Sequence, residues 1–254
     1  MSKLAAVILT KNEEKHIGDC LDSLAWADRR VVVDSFSTDR TCAIAREHGA
    51  EVLQHPFSDY AAQRNVAIDA IDADWIFFVD ADERATPELA QEIKGIVSPE
   101  GPEMVGWNVP RQNYLFGKLT CGAGYWPDYQ MRLLKHGHAR YDRPASEIVV
   151  LDGPAGDLQQ PLIHYNYETI AQFRAKQTFR IEFEATNLYR QGAKSKFYTP
   201  YYMTVKHFWW RFVTLKGYQD GVHGLRLSLL LGYYFGYRYY RRLGQLYRSG
   251  QEKP

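Results

Sequence analysis

The 254-residue chain is long enough for one large globular domain, or for a domain with a helical extension. Hydrophobic residues make up 45% of the chain and charged residues 24%, a composition that is ordinary for a globular protein and argues against intrinsic disorder. The net charge of +1 conceals an asymmetry, because residues 194–254 hold eleven Lys or Arg residues, two acidic residues and sixteen aromatic residues. A basic, aromatic tail after an acidic body indicates an anionic surface as a partner.

The three cysteines, Cys20, Cys42 and Cys121, form no CxxC pair. They therefore indicate neither a disulfide framework nor a zinc site, and they fit a reducing compartment. The apolar run at residues 4–9 is too short, and too soon followed by charge, for a signal peptide. We interpret it as the first strand of a cytoplasmic protein.

Strand and helix patterns alternate over residues 4–97. Strands are predicted at residues 4–9, 30–34, 51–54 and 75–79, and helices at residues 14–24, 38–48 and 60–71. Thr86, followed by Pro87 and Glu88, has the composition of an N-cap and first turn of another helix. Continuous apolar runs such as VVV and WIFFV are typical of a sheet covered on both faces. The pattern predicts an α/β fold with a doubly wound, mostly parallel sheet.

The helical period is absent from residues 105–167, where short apolar stretches alternate with Gly, Pro and Asp. This part is predicted to hold antiparallel strands and long loops. Residues 169–191 have a helical pattern, and the basic, aromatic tail follows.

Two carboxylates, Asp80 and Asp82, directly follow the apolar strand WIFFV. Ligands bind at the carboxyl ends of parallel strands. Residues two apart on an extended segment point the same way, so both carboxylates could face one hard cation that also binds a diphosphate. The alternative is an acidic turn between a strand and a helix, because short motifs of this kind are often coincidental.

Polar clusters also follow the first two strands, at the same predicted edge of the sheet. Thr10, Asn12 and Glu13 follow the first strand, and Asp34 begins the segment DSFSTD after the second. Thr10, Glu13 and Asp34 could hydrogen-bond a pyrimidine ring or a ribose. Helix capping by Ser37, Thr38 or Asp39, and a turn at Asn12, are the alternatives.

Four segments in this order resemble glycosyltransferase family 2, whose fold is the nucleotide-diphospho-sugar transferase fold called GT-A. They are TKNEE, VVVDSFSTDRT, Ala62-Gln63-Arg64-Asn65 and DWIFFVDADE, and they cover residues 4–90. The resemblance implies a site with a UDP-sugar donor and Mg²⁺ or Mn²⁺. It puts Thr10, Glu13 and Asp34 at the nucleotide base, Arg64 near the donor, Asp80 near the ribose and Asp82 on the metal; Asn12 and Gln63 join the predicted substrate-binding residues.

A second resemblance covers nearly the whole chain. The segments RQNY from Arg111, WPDYQMRL from Trp126, LIHY from Leu162 and the Asp220-Gly221 region are similar to lipopolysaccharide inner-core β-1,4-glucosyltransferases. The resemblance implies inverting transfer of glucose from UDP-glucose to a hydroxyl of a glycan or glycolipid acceptor, in lipopolysaccharide core or another envelope glycan. This chain departs from that group at Ala145-Ser146-Glu147, where the group usually has Val-His-Glu.

Glu147 is the predicted general base, because inverting transfer needs one carboxylate to take the acceptor proton. Without the resemblance, Glu147 would be interpreted as a surface carboxylate. Asp128 is the rival base. His164 is predicted to bind the metal or the diphosphate, with a hydrogen-bonded structural histidine as the alternative. Arg111 and Arg132 are predicted to contact phosphate or acceptor, with strand-surface charges as the alternative.

We therefore predict a GT-A catalytic domain over residues 1–193, with a nucleotide-sugar-binding half at 1–104 and an acceptor-side half at 105–193. No GxGxxG follows the first strand and no Walker-type phosphate loop occurs, so dinucleotide enzymes and P-loop enzymes are disfavoured. A catalytically silent nucleotide-sugar or lipid-carrier binding protein, and a sugar nucleotidyltransferase, remain as alternatives.

The tail, residues 194–254, is predicted to be a helical extension that contacts a membrane or another subunit. Residues 227–237 are eleven uncharged residues, whereas a spanning helix needs about 20. Aromatic residues and arginines suit a membrane interface instead. We expect peripheral association with the inner face of the cell membrane, with packing on the catalytic domain or in a homo-oligomer as the alternative, and no nucleic-acid partner.

Overall fold

The computed structural model describes residues 2–98, 100–142 and 148–248. The strands are β1 (Leu4–Thr10), β2 (Arg29–Asp34), β3 (Glu51–Gln54), β4 (Trp75–Asp80), β5 (Glu83–Ala85), β6 (Gly106–Leu115), β7 (Lys118–Thr120), β8 (Tyr129–Lys135), β9 (Ala139–Asp142), β10 (Ile148–Leu151), β11 (Ala155–Asp157) and β12 (Leu162–Tyr167). The helices are α1 (Ile17–Ser23), α2 (Thr41–Glu47), α3 (Tyr60–Ala70), α4 (Pro87–Ile96), α5 (Ile170–Arg190), α6 (Thr199–Trp209), α7 (Gly221–Leu231) and α8 (Tyr239–Arg248).

A ten-stranded sheet organises the fold. Eight strands follow the order β3-β2-β1-β4-β8-β6-β12-β5, and β7 and β11 each pair with β6. The first four strands are parallel, as predicted, and β8 pairs antiparallel with both β4 and β6. The register aligns Thr10 with Asp34 and Leu9 with Asp80, so the carboxyl ends of β2, β1 and β4 lie side by side.

Apolar layers cover both faces of this sheet, which explains the continuous apolar strands. In β1, Leu4, Ala6 and Ile8 belong to one buried cluster and Ala5 and Val7 to the other. Because successive strand residues point to opposite faces, each cluster packs on one side of the sheet.

Helix ends follow the local sequence. Thr86 caps α4 by accepting a hydrogen bond from the Leu89 N–H, and Pro87 is the first helical residue, as predicted. Thr169 and Gln172 form a capping box at the start of α5. Helices α1 and α2 begin three residues later than predicted, because Glu14 in the first loop hydrogen-bonds to Asp39 and Arg40 in the second instead.

The chain divides into two compact units. The first comprises residues 1–111 and 128–164, and the second residues 112–127 and 165–254. The second unit therefore contains α5 together with the basic tail, and the predicted domain boundary near residue 193 stays a prediction.

The second unit has its own apolar core, formed by α5, α7, α8 and the π-helical turn Gly232–Arg238. Leu227, Leu231 and Tyr234 are buried there against Phe173. Gly236 allows a close helix contact, since a Cβ atom there would lie 2.5 Å from backbone atoms of Thr204 in α6. Among the described residues, each helix is too short or too polar to cross a lipid bilayer.

Candidate active site

The carboxylate of Asp34 ties together the loops that follow β1 and β2. Asp34 is fully buried and accepts hydrogen bonds from the Thr10 hydroxyl (2.9 Å), the Ser37 N–H (2.8 Å) and the Gln54 amide (3.3 Å). Burial acts to raise the pKa of Asp34, but the hydrogen bonds from Ser37 and Thr10 outweigh it, and the pKa lies below the ordinary value. Asp34 is thus held as an ion at the end of β2.

Asn12 connects the same two loops. It has a left-handed backbone (φ 57°), its side-chain oxygen accepts from the Thr38 N–H at 2.8 Å, and its N–H donates to the Ser37 hydroxyl at 2.8 Å. The Glu13 N–H donates to the Thr41 hydroxyl at 2.7 Å. Asparagine tolerates this backbone, so the loop geometry is stable without a glycine.

A cavity of about 570 Å³ lies at these strand ends. It is lined by Leu9, Thr10, Lys11, Glu13, Ser35, Phe36, Pro56, Phe57, Tyr60 and Gln63. We call it the aromatic cavity. Half of these residues are apolar or aromatic and half are polar, and a cavity of this volume is large enough for a small ligand. The cavity brings together the predicted residues Thr10, Glu13 and Gln63.

Three aromatic residues of this cavity were not predicted as site residues. Phe36 is half exposed and has a left-handed backbone (φ 57°), and the Lys11 ammonium fixes this loop by donating to the Phe36 carbonyl at 2.7 Å. Phe57 and Tyr60 meet edge to face, with ring centroids 5.0 Å apart. A bulky residue with positive φ is strained and is often found at functional sites. The only sequence signal was an aromatic residue inside the polar segment DSFSTD.

The turn after β4 corrects one expectation. Asp80 ends β4, Ala81 and Asp82 form a turn, and β5 begins at Glu83. The prediction that Asp80 and Asp82 lie on one extended segment is therefore wrong, because a turn separates β4 from β5. The two carboxylates have different partners.

Asp80 belongs to a cluster of arginines and carboxylates. Arg132 donates to both of its oxygens, and Arg64 Nη2 lies 3.5 Å from Oδ1. Burial acts to raise the pKa of Asp80, but Arg132 and Arg64 hold it well below the ordinary value. Burial acts to lower the pKa of Arg132, but Asp80 and Glu83 hold it well above the ordinary value. The pair is therefore ionic at all physiological pH values.

Glu83 is the buried centre of this cluster. Its carboxylate accepts from the Asp80 N–H (2.9 Å), from Arg111 Nη1 (3.2 Å) and from Arg132 Nη2 (3.0 Å), and the residue is fully buried. The sequence placed Glu83 next to the two aspartates, but nothing local indicated its two arginine partners, which come from β6 and β8.

Asp128, the rival base, is bound by arginine. Arg111 donates to its Oδ2 through Nε (3.0 Å) and Nη2 (2.7 Å), and the Gln130 amide donates to Oδ1 at 3.0 Å. A two-point contact of this kind fixes the orientation of both side chains. Asp128 thus holds Arg111 in place.

A second cavity, of about 230 Å³, lies against these arginines. It is lined by Arg64, Asp80, Arg111, Gln130, Met131, Arg132, Tyr141 and Val149. The Arg64 guanidinium lies over the rings of Phe78 and Tyr141, 5.1 and 5.2 Å from their centroids. Buried Arg132 Nε has no hydrogen-bond partner among the described residues. This arginine cavity could take an anionic or hydroxyl-rich group.

Asp82 lies beside His164. β12 pairs with β5 in a register that aligns His164 with Glu83, and His164 Nε2 is 3.6 Å from Asp82 Oδ2. His164 is buried, and Asp82 keeps part of its carboxylate exposed. The structure thus brings together the two residues predicted to bind metal. Among the described residues, no group of three or more His, Cys, Asp or Glu side chains could form a complete metal cage.

Glu147 and Ser146 lie outside the described residues. The assignment of Glu147 as general base therefore stays a prediction.

Comparison with known proteins finds glycosyltransferases among the proteins similar to this chain. The lipopolysaccharide core biosynthesis glycosyltransferase LpsC of Rhizobium meliloti is 29% identical over 208 residues, which are 77% of this chain and 75% of that protein. The uncharacterized glycosyltransferase RP128 of Rickettsia prowazekii is 38% identical over 213 residues, which are 76% of this chain and 70% of that protein.

Among solved structures, glucosyl-3-phosphoglycerate synthase from Mycobacterium tuberculosis, in complex with Mn²⁺, uridine-diphosphate and glucosyl-3-phosphoglycerate, matches with a TM-score of 0.47 and 18% identity. That match covers 77% of this chain and 82% of the other, whereas the structures of that enzyme in complex with phosphoglyceric acid and in complex with uridine-diphosphate are matched over 44% and 46% of their length.

The model of the family described as Glycosyl transferase family 2 matches residues 5–135, just over half of the chain. The match begins with β1 and ends with β8, and it includes Asp34, Asp80 and Asp82. The predicted α/β GT-A fold is confirmed. The chain belongs to glycosyl transferase family 2 and is a glycosyltransferase.

Proposed function

We propose that this glycosyltransferase moves a sugar from a UDP-linked donor, with UDP-glucose favoured, to a hydroxyl of lipopolysaccharide core or another envelope glycan. The observation that carries the proposal is the approach of Asp82 to His164, two residues after the arginine-bound Asp80. The similarity to LpsC, a lipopolysaccharide core glycosyltransferase, supports the acceptor class.

The donor nucleotide would bind along the ends of β1, β2 and β4. The aromatic cavity offers ring faces for a base, and Thr10 and Glu13 offer polar groups at its wall. Asp80 and Arg64 follow on the neighbouring strand and helix, where they suit the ribose and the diphosphate. Asp34 acts here by fixing the two loops, because its carboxylate already accepts hydrogen bonds from three residues.

The residues present fit a divalent metal such as Mg²⁺ or Mn²⁺. Asp82 offers a partly exposed carboxylate and His164 an imidazole nitrogen, 3.6 Å apart. Mg²⁺ is usually held by one or two protein ligands together with substrate phosphates and water, not by a complete protein cage. When bound, the metal would neutralise charge on the departing diphosphate, so that no acid is required at the leaving group.

Transfer with inversion is a single displacement. The acceptor oxygen forms a bond to the anomeric carbon as the bond to the diphosphate oxygen breaks, and that electron pair leaves with the nucleoside diphosphate. We assign the acceptor proton to the Glu147 carboxylate. Asp128 is a weaker candidate, because three N–H groups from Arg111 and Gln130 already bind it.

Peripheral association with the inner face of the cell membrane is part of the proposal. The tail carries eleven basic and two acidic residues, and Phe197, Trp209 and Trp210 are exposed on it. Two tail arginines also have contacts within the protein, since Arg242 pairs with Glu182 at 2.8 Å and Arg238 lies over the Tyr234 ring. Sedimentation velocity would test a homo-oligomer that covers the same aromatics.

A donor panel tests the proposed activity. The protein would be incubated with UDP-, GDP-, ADP- and CMP-linked sugars, with Mg²⁺ or Mn²⁺ and a lipopolysaccharide core acceptor, and the nucleotide released would be measured. We expect UDP release from UDP-glucose. Donor binding without release in any combination would support a silent binding protein, and formation of sugar nucleotide from a nucleoside triphosphate would support a nucleotidyltransferase.

A further inference from the structure

A third cavity, of about 540 Å³, lies wholly within the second unit. It opens between α7, the start of α5 and the β6–β7 hairpin. Its lining residues are Phe116, Lys118, Glu168, Ile170, Val222, His223, Arg226, Leu227 and Leu230. We call it the α7 cavity. None of these residues belongs to the candidate active site.

The α7 cavity is amphipathic. Five of its residues are apolar, and the exposed cations Lys118 and Arg226 lie among them with one acid, Glu168. Within the described part of the chain, neither cation has a carboxylate within ion-pair distance. Two unneutralised cations beside an apolar surface favour a ligand with an anionic head and an apolar body.

His223 adds a polar contact but no charge at neutral pH. Its Nε2 lies 3.0 Å from the Thr120 hydroxyl. Burial lowers the pKa of His223, and although Asp220 opposes this effect, Lys118 adds to it. The positive charge of the α7 cavity therefore comes from Lys118 and Arg226.

The outer face of α7 continues the apolar surface. Val222, Leu225, Leu229 and, one turn further, Tyr233 are all exposed, with Val222 63% and Leu229 53% accessible. Their spacing puts them on one face of the helix together with Arg226. The opposite face, with Leu227 and Leu231, is already buried in the core of the unit. The exposed row is thus not needed for the packing of α7.

We propose that the α7 cavity binds an anionic membrane lipid, with Lys118 and Arg226 pairing its phosphate and the apolar floor holding the start of an acyl chain. The row Val222, Leu225 and Leu229 then lies at headgroup depth in the same bilayer. The apolar floor is the reason to choose a lipid over a soluble phosphate. This inference rests on the proposed membrane association and names the lipid chemistry and the residues that would select it.

Vesicle binding tests the proposal with the full chain. Flotation would be measured with vesicles of phosphatidylcholine alone and of phosphatidylcholine mixed with phosphatidylglycerol. The site variant is Lys118→Ser/Arg226→Ser. The matched control is Arg174→Ser/Arg190→Ser, which also removes two exposed cations from the second unit but none from the α7 cavity or from the tail. Circular dichroism would establish that all proteins are folded.

We expect wild type to bind only the anionic vesicles. At about 1 kcal/mol per cation near an anionic surface, the site variant should bind them roughly 30-fold more weakly, and the control less than about threefold more weakly. Equal losses in both variants would overturn the cavity site while leaving membrane association intact. If wild type floats with neither kind of vesicle, both the cavity site and the membrane association are overturned. The donor panel would still test sugar transfer independently.

A charge introduced at Ile170 provides a second test. Ile170 is 53% exposed at the first turn of α5, where an acidic residue is favourable to the helix, so Ile170→Asp should fold. The new carboxylate would repel a lipid phosphate, and we expect a loss of anionic-vesicle binding at least as large as that of the site variant. Soluble glycerol phosphate would be added at the same phosphate concentration as the anionic lipid. If it displaces the protein from the vesicles, the role given to the acyl chain is contradicted.

Discussion

Arg132 donates a hydrogen bond to the buried carboxylate of Glu83, with Nη2 and Oε1 3.0 Å apart. The same guanidinium binds Asp80, and the Glu83 carboxylate also accepts from the Asp80 N–H. The end of β4 and the start of β5 are therefore both joined to β8, at the position where the metal and donor are proposed to bind. Any displacement of Glu83 would move Asp80 and Arg132 together.

Glu83→Gln should destabilise the protein strongly. The amide removes one negative charge and leaves Arg111 and Arg132 partly uncompensated in a buried cluster, and breaking such pairs costs about 3 kcal/mol or more. Urea denaturation would measure the free energy of unfolding. The control is Glu51→Gln, which breaks an exposed pair with Arg29 and should cost less than about 1 kcal/mol. Equal effects would contradict the central role of Glu83.

Stability should fall in acid partly through Asp80. Its folded-state pKa lies below the unfolded value of 3.8, because Arg132 and Arg64 outweigh the effect of burial. A lowered folded pKa gives stability that is present above about pH 4 and is lost as the pH falls below it. The urea midpoint, followed from pH 6 to pH 3, should therefore decline less steeply below pH 4 in Asp80→Asn than in wild type. Parallel curves for the two proteins would show that Asp80 contributes nothing to the pH dependence of stability.

Much of the first unit could be predicted because its signals are local. Apolar runs such as 75–79 and an N-cap such as Thr86 depend on neighbouring residues only. The turn at Ala81 and Asp82 was missed, because β5 is three residues long and exists through its pairing with β12, far along the chain. The partners of Glu83 were missed for the same reason.

In the tail, composition could not separate buried residues from exposed ones. Leu229 and Leu231 are both leucines of α7, yet Leu229 is exposed and Leu231 is in the core. Leu231 packs in the cluster that holds Phe173 of α5 and Tyr234, and these partners are not indicated by the sequence of α7 itself. The sequence predicted aromatic residues both at a surface and in a core, and the second unit contains both.

Phe36→Ala should weaken donor binding. Phe36 is half exposed at the aromatic cavity, and stacking of a base on an aromatic ring contributes about 1–3 kcal/mol, or roughly five- to 150-fold in affinity. Isothermal titration with UDP would measure the change. Phe197→Ala, which removes a more exposed ring from the second unit, is the control and should bind UDP like wild type. Unchanged affinity of Phe36→Ala for UDP would show that the base does not bind against Phe36 in the aromatic cavity.

The two candidate bases predict different kinetics. Glu147→Gln should lower kcat by roughly two to four orders of magnitude while the affinity for donor stays near normal, because only the proton acceptor is lost. Asp128→Asn should instead raise the KM of a substrate, since it loosens the two-point contact that orients Arg111. Steady-state kinetics on both variants would decide, and the reverse pattern would assign Asp128 as the base.

Metal-dependent release of UDP tests the central claim most directly. Wild type, Asp82→Asn and the exposed control Asp152→Asn would be assayed with UDP-glucose and acceptor, with Mn²⁺ present and then with excess chelator. We predict acceptor-dependent UDP release by wild type and Asp152→Asn that stops in chelator and resumes when Mn²⁺ is restored, and almost none by Asp82→Asn under any condition. Release at wild-type rates by Asp82→Asn, unaffected by chelator, would contradict the account.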